Sequence, residues 1–269
     1  MKHQYDLSTW EEFEAQVSQI EDEHKVRGEV EPHHSHLLFR GQASYGWPLD
    51  TTLERASNKI KTLGDYYRLV AVAKTQIETF TGKSWPDIDV VETYKHFTEY
   101  DAMNLKGLPA YELLVYLRHH GFPSPLLDWT RSPHIAAYFA FNLPKSERIA
   151  VWAYKEYAGG GKVTSSGRAQ IRCLGPNVRS HPRHFLQQAE YTLATIFESG
   201  KWHLSPHDAV FQQNVPEQDQ LLKFTLPSTE APKVMAKLDR ININSYSLFQ
   251  TEEALLETTS RRLLANWRG

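Results

Sequence analysis

Cysteine is almost missing from this chain: Cys173 is the sole one, so no internal disulfide can form. That usage fits a reducing compartment. Long apolar runs are missing as well. No stretch approaches the roughly 18 apolar residues of a membrane helix, and the opening MKHQYDLSTWEEFEAQV holds no apolar signal core. A cytoplasmic protein with no membrane partner is expected. An excess of charge of either sign is lacking too, the formal net charge being −2. Bulk electrostatics therefore calls for neither nucleic acid nor anionic lipid. There is no H-E-x-x-H, and the glycines of AGGGK lack the phosphate-loop pattern, which leaves a flexible loop. HHSH (His33, His34, His36) has no carboxylate or cysteine at ligand spacing, so it reads as a polar loop before a strand and no metal is expected.

What is present is ordinary globular material: 269 residues, 41% apolar and 23% charged, enough for one large domain or two small ones. STWEEFEAQV predicts a helix, with Ser8 or Thr9 as cap and Trp10, Phe13 and Val17 on one face. A charged loop is expected from about 21 to 32, then a buried strand in HLLFRGQ. Residues 51–81 read as helix broken near Gly64, and WPDIDVVETYKHFTEYDAM as another helix. LPAYELLVYLRHHG is a helix framed by Pro109 and Gly121. Strands are expected in RIAVWAYK, AQIRCLG, AEYTLATIF and LLKFTLP. Short helices follow in SPHDAVFQQ and STEAPKVMAKLDRI, and a strong one in QTEEALLETTSRRLLANW. The fold class that results is α+β: a single domain, helix-rich in its N-terminal half, around a mixed or antiparallel split sheet.

Three places stand out chemically. Arg40 ends a buried strand, where a guanidinium is costly unless an anion meets it. The alternatives are a structural ion pair or a ligand phosphate, with Gly41 leaving room for the ligand. In HHGFPSPLLDWTRSPHIAAYFAF, Thr130 or Ser132 caps an apolar helix that begins with Pro133. The free N–H groups of that helix start, with Asp128, Thr130 and Ser132, make a candidate corner for a phosphate-bearing ligand. His120 and Trp129 could stack on its ring. The plainer reading is that Asp128 and Thr130 only tie the turn. In HPRHFLQQAEYTL, Arg183, Gln187, Gln188 and Glu190 surround a strand entry, as a turn network or as part of a site.

LLFRGQ, HHGFPSPLLDWTRSPHIAAYFAF, RIAVW, HPRHFLQQAEYTL and LDRININSYSLF stand in the order and spacing of the FRG-domain family, and over roughly residues 30–255 the chain resembles it. Family members commonly carry Gln-Gln-Gly and an arginine before Leu-Leu-Asp-Trp-Thr; here Ala189 and Pro125 stand there. The resemblance implies an N-terminal helix and linker over 1–30, an FRG-type domain over 31–255, and the end of a C-terminal helix packed on it over 256–269. The layout is also similar to the Arg, Ser-Thr-Ser, Glu arrangement of ADP-ribosyltransferases. By that likeness Arg40 would hold a dinucleotide phosphate, Thr130 and Ser132 would shape a nicotinamide pocket, and Gln187, Gln188 or Glu190 would serve the ribose. What it implies is an ADP-ribosyltransferase-like fold and an enzyme that cleaves NAD, as an ADP-ribosyltransferase or NAD glycohydrolase. Such a protein would be a bacterial toxin or defence effector with a protein or nucleic-acid acceptor. The alternatives are a non-catalytic nucleotide- or partner-binding module, and a hydrolase of nucleic acid. All the functional readings need Arg40, the Asp-Trp-Thr-x-Ser turn and the paired glutamines to meet at one pocket.

Overall fold

The computed structural model describes residues 2–29, 35–101, 107–156, 165–179, 181–212 and 219–265. His33, His34 and the AGGGK loop lie outside them.

Period-two alternation organises the centre of the molecule. In β2 (Leu38–Gln42) and β4 (Arg148–Lys155), Phe39, Val151 and Ala153 enter one apolar cluster while Leu38, Trp152 and Tyr154 enter another. Adjacent residues of a strand point to opposite faces, so these clusters lie on the two sides of one sheet. β4 is buried over six of its eight residues, as a central strand covered on both faces must be. With β1 (Lys2–Asp6), β3 (Leu127–Thr130), β5 (Gln170–Cys173), β6 (Ala189–Glu198), β7 (Lys201–Leu204) and β8 (Gln220–Pro227), the order is β1-β8-β4-β2-β3-β6-β5, and β7 also pairs with β6. Only β1 and β8 run parallel among the described pairs.

The sequence predicts a split sheet, but the eight strands form one mixed sheet whose shortest pairing lies between β2 and β3. β2 pairs with β4 over all five of its residues, and β3 pairs with β6 over all four. Between β2 and β3 the ladder holds a single residue pair, Phe39 with Thr130.

On the first half, α1 (Trp10–Gly28), α6 (Pro133–Phe141) and α9 (Ala231–Arg240) bury Trp10, Phe13, Phe141, Val234 and Leu238 against Phe39 and Phe224. On the second half, α3 (Leu63–Thr81) and α5 (Tyr111–His119) set Tyr66, Tyr67 and Leu113 against Tyr191 and Leu193. α2 (Thr52–Ala56), α4 (Val90–His96), α7 (Pro182–Leu186), α8 (His207–Gln212), α10 (Ser245–Phe249) and α11 (Glu252–Ala265) complete the described helices. None is long and apolar enough to cross a membrane.

Four readings of the elements need correction. α1 runs to Gly28, because Glu21–Arg27 holds no proline or glycine to stop it. Gly64 does not break a helix. The break lies before Thr62, which caps α3, and Gly64 sits in its first turn, where a Cβ would come within 2.8 Å of Tyr94. Of the helix expected around residues 85–103, the described part up to 101 holds only α4, begun by the Asp89 cap. β1 and β7, polar edge segments, were not expected at all.

Candidate functional site

Gly41 fixes the geometry from which the site grows. A Cβ on it would lie 1.9 Å from the carbonyl oxygen of Ala136 and 2.7 Å from the nitrogen of Ala140. The backbone of α6 thus rests directly on β2, through two alanines one turn apart. The room at Gly41, which the sequence reading reserved for a ligand, is taken by this helix.

Next to it, Arg40 reaches into the parting between β2 and β3. Its Nη1 donates to the backbone oxygen and to Oδ1 of Asp128, each at 2.8 Å. The first bond serves a carbonyl at the point where the β2–β3 ladder stops. Asp128 Oδ1 also accepts from Nη2 of Arg118, at the end of α5. Arg40 and Arg118 are 13% and 15% exposed in their side chains, whereas Asp128 keeps 41% open. Burial by itself would raise the Asp128 carboxyl, but the guanidiniums of Arg118 and Arg40 overturn this and hold it far below the usual carboxylate range. For Arg40 burial works downward, Asp128 supports its charge, and the fields of Arg118 and Arg55 oppose it. Two guanidiniums therefore meet one carboxylate, and the Nε atoms of Arg40 and Arg118 are buried without a partner among the described residues. The cluster carries one guanidinium more than it has carboxylates.

The turn that follows is closed on itself. Thr130 Oγ1 accepts from the backbone of Ser132 at 3.1 Å, and Ser132 Oγ caps α6 by accepting from Ile135 at 3.3 Å. Pro133 brings no N–H. Most of the helix start that was expected to face a phosphate is therefore spent locally. Trp129 is not free to stack on a ligand: it is buried, its Nε1 donates to Thr192 Oγ1 at 2.8 Å, and its ring packs on Tyr154. Thr192 also bonds Nε2 of His207 at 2.8 Å. Burial, with some help from Arg40, pushes His207 down to about 3.

The glutamines diverge. Gln187 Nε2 donates to the backbone oxygen of Leu248 in α10. Gln188 takes the left-handed conformation (φ 47°) that ends α7, and its carbonyl accepts from the Arg131 backbone. Ala189 pairs with Thr130 in the ladder. Glu190 turns into the protein at 3% exposure, 2.6 Å from His36 Nδ1 and 3.8 Å from Arg131 Nε. Arg183 lies over the Phe249 ring.

His120 is exposed, packed on Tyr116 at 4.2 Å and on His181 at 5.1 Å. Burial lowers its pKa, and Lys83 and Arg183 lower it further, so it offers a neutral ring among cations. The residue before it was overlooked in the sequence. His119 Nε2 meets the Tyr191 hydroxyl at 2.7 Å, and the same hydroxyl meets His184 Nδ1 at 2.9 Å. Tyr191 stands opposite Asp128 in the β3–β6 ladder. The two histidines are far apart in sequence and meet only through β6, so no sequence motif could link them.

Among the described residues, the structure brings Arg40 to Asp128 and to the unforeseen Arg118, with His119 and Tyr191 alongside. It leaves Thr130 and Ser132 as caps and sends Gln187 and Glu190 to other partners, so the three groups that the sequence readings join at one pocket do not meet. No group of three or more His, Cys, Asp or Glu among those residues could hold a metal. Residues 35–148, which contain Arg40, Arg118, His119 and Asp128, match the family model described as FRG domain. No curated protein and no solved structure matches the chain.

Proposed function

We propose that residues 35–148, which match the FRG domain model, bind a nucleotide-type anion at the Arg40–Asp128–Arg118 cluster and that NAD is cleaved there. The carrying observation is the cleft's surplus of guanidinium over carboxylate, with Asp128 open to solvent and Arg40 and Arg118 almost covered. Arginines held in this way present planar donors to a pyrophosphate at little entropic cost. In the cleavage, the bond between ribose C1′ and the nicotinamide nitrogen breaks, nicotinamide leaves with the electron pair, and water or an acceptor group adds at C1′. By the likeness to ADP-ribosyltransferases Glu190 would steady the positive ribose, which requires it to leave His36 and Arg131 and turn toward the cluster.

A second reading is favoured by one observation. Both carboxylates of the region are already engaged, Asp128 by two arginines and Glu190 by His36 and Arg131. A domain that only binds the nucleotide needs no free acid. Incubation with NAD separates the two readings. The enzyme releases nicotinamide, and Arg40→Ala and Glu190→Gln each abolish the release. The binding module shows a thermal shift with ADP-ribose that grows as the logarithm of its concentration, and gives no product. If ADP-ribose produces no shift in the wild-type protein, both readings fail.

A further inference from the structure

Hydrogen-bond donors and acceptors around Tyr191 can be assigned one by one. His184 Nε2 lies 2.9 Å from the carbonyl oxygen of Pro176, which can only accept, so Nε2 carries the proton. In the neutral ring Nδ1 is then an acceptor, and it takes the Tyr191 hydroxyl proton at 2.9 Å. Burial raises the Tyr191 pKa, so that proton is retained. The hydroxyl has one proton and has given it to His184. The contact with His119 at 2.7 Å must therefore run the other way, with His119 Nε2–H as donor. Burial first, then His184, Arg118 and His181, lower His119 to about 4 against the opposing pull of Asp128, so its ring is neutral near pH 7. A neutral ring protonated at Nε2 has a bare lone pair at Nδ1. Among the described residues that atom has no hydrogen-bond partner, and it is not among their buried unpartnered atoms, so it is not sealed from solvent by them. The fields of Asp128 and Arg118 act on this same ring.

We propose that His119 Nδ1 is a dedicated hydrogen-bond acceptor for a sugar hydroxyl of a ligand whose phosphate sits on Arg40 and Arg118. The Pro176–His184–Tyr191 chain is the positioning device that keeps Nδ1 unprotonated. The assignment deepens the nucleotide reading and rests on it. The cleft would then choose a hydroxyl-bearing phosphate, such as the ribose of a nucleotide, over a bare anion.

Two probes expose the difference: ADP-ribose, which has sugar hydroxyls, and inorganic pyrophosphate, which has none. His119→Gln keeps an amide donor toward Tyr191 and takes the acceptor away from the Nδ1 position, its own carbonyl lying elsewhere. By calorimetry it should weaken ADP-ribose about tenfold, the worth of one good hydrogen bond, and leave pyrophosphate within about twofold. Tyr191→Phe, which frees the ring to change tautomer, should produce a smaller loss of the same selectivity. Equal losses for both probes, or no loss for either, would overturn the role of His119 while the nucleotide site stands. If the wild-type protein binds neither probe, the nucleotide reading falls and takes this one with it. A nitrogen-15 spectrum needs no ligand: the signal lost in His119→Gln should report an unprotonated Nδ1 near pH 7, and a protonated Nδ1 refutes the assignment outright.

Discussion

Replacing Gly41 by alanine puts the contact between β2 and α6 to a direct test. The new methyl carbon would stand 1.9 Å from Ala136 O and 2.7 Å from Ala140 N. A comfortable contact needs about 3.5 Å, so strand and helix would have to separate by about 1.5 Å. Neither partner can yield by turning a side chain, because both clashing atoms are backbone. α6 has little freedom to retreat: Ile135, Ala136, Ala137, Tyr138, Ala140 and Phe141 are each 3% exposed or less. Overpacking a dense interior costs about 1–3 kcal/mol, and this clash belongs at the upper end, about 3 kcal/mol. In urea unfolding followed by tryptophan fluorescence, the midpoint should fall by about 1 M, and in a thermal melt by roughly 6–12 °C. Gly46→Ala is the control: its nearest atom beyond chain neighbours is 3.8 Å away, so its midpoint should match wild type. A Gly41→Ala protein with the wild-type midpoint would refute the packing argument. If that variant also lost ADP-ribose binding, the room at Gly41 would belong to a ligand after all.

Asp128→Asn leaves two nearly buried guanidiniums without their carboxylate; because Asp128 is partly open, the expected cost is about 1–3 kcal/mol rather than the full penalty of a buried pair, and added pyrophosphate should restore part of it in a thermal-shift assay. His207, at 1% exposure and pushed down to about 3, takes up its proton later in the folded than in the unfolded chain. The unfolded state then holds more protons between about pH 6.5 and 3, so stability is complete above that range and drains away as the pH falls through it. His207→Gln should flatten the stability-against-pH curve there, with His119 supplying what slope remains above about pH 4. Asp128, lowered in the folded state, sheds its contribution only as the pH falls below the usual carboxylate value of 3.8, so its loss appears at the acid end. Ser132→Ala removes the cap of α6 and should cost about 1 kcal/mol, read as a urea-midpoint shift.

The parts of the fold that were legible are those whose signal is local. RIAVWAYK is apolar and β-branched over most of its length, and PHIAAYFAF carries its cap, its proline and its burial within ten residues of chain. KHQYD has no such signal, because β1 is an edge strand held to β8 by backbone bonds, which any side chain permits. The site was half legible for the same reason. A charge after three apolar residues announces that Arg40 needs an anion, and Asp128 was already a candidate. Nothing local says that the two meet across 88 residues of chain, or that Arg118 shares the carboxylate. Gly41 was noticed as a close approach but assigned to a ligand, because the alanines it touches lie on a helix almost a hundred residues later.

The parting of the sheet explains why these motifs depend on one another. If β2 and β3 stayed paired past Phe39, the Asp128 carbonyl could be met by a backbone N–H and the guanidinium of Arg40 would have no opening to enter. Gly41 lets α6 lie flat on β2, and α6 is also joined to β3 through the Thr130–Ser132 turn. The helix therefore touches both β2 and β3 where their pairing is shortest. Arg40 then fills a gap that its own neighbours create, and Asp128, partly open, completes it. A ligand phosphate arriving there would compete with a resident carboxylate for donors already in place, so its affinity is a difference between two strong interactions. That arrangement favours selectivity over raw strength, since a bare anion gains little by the exchange.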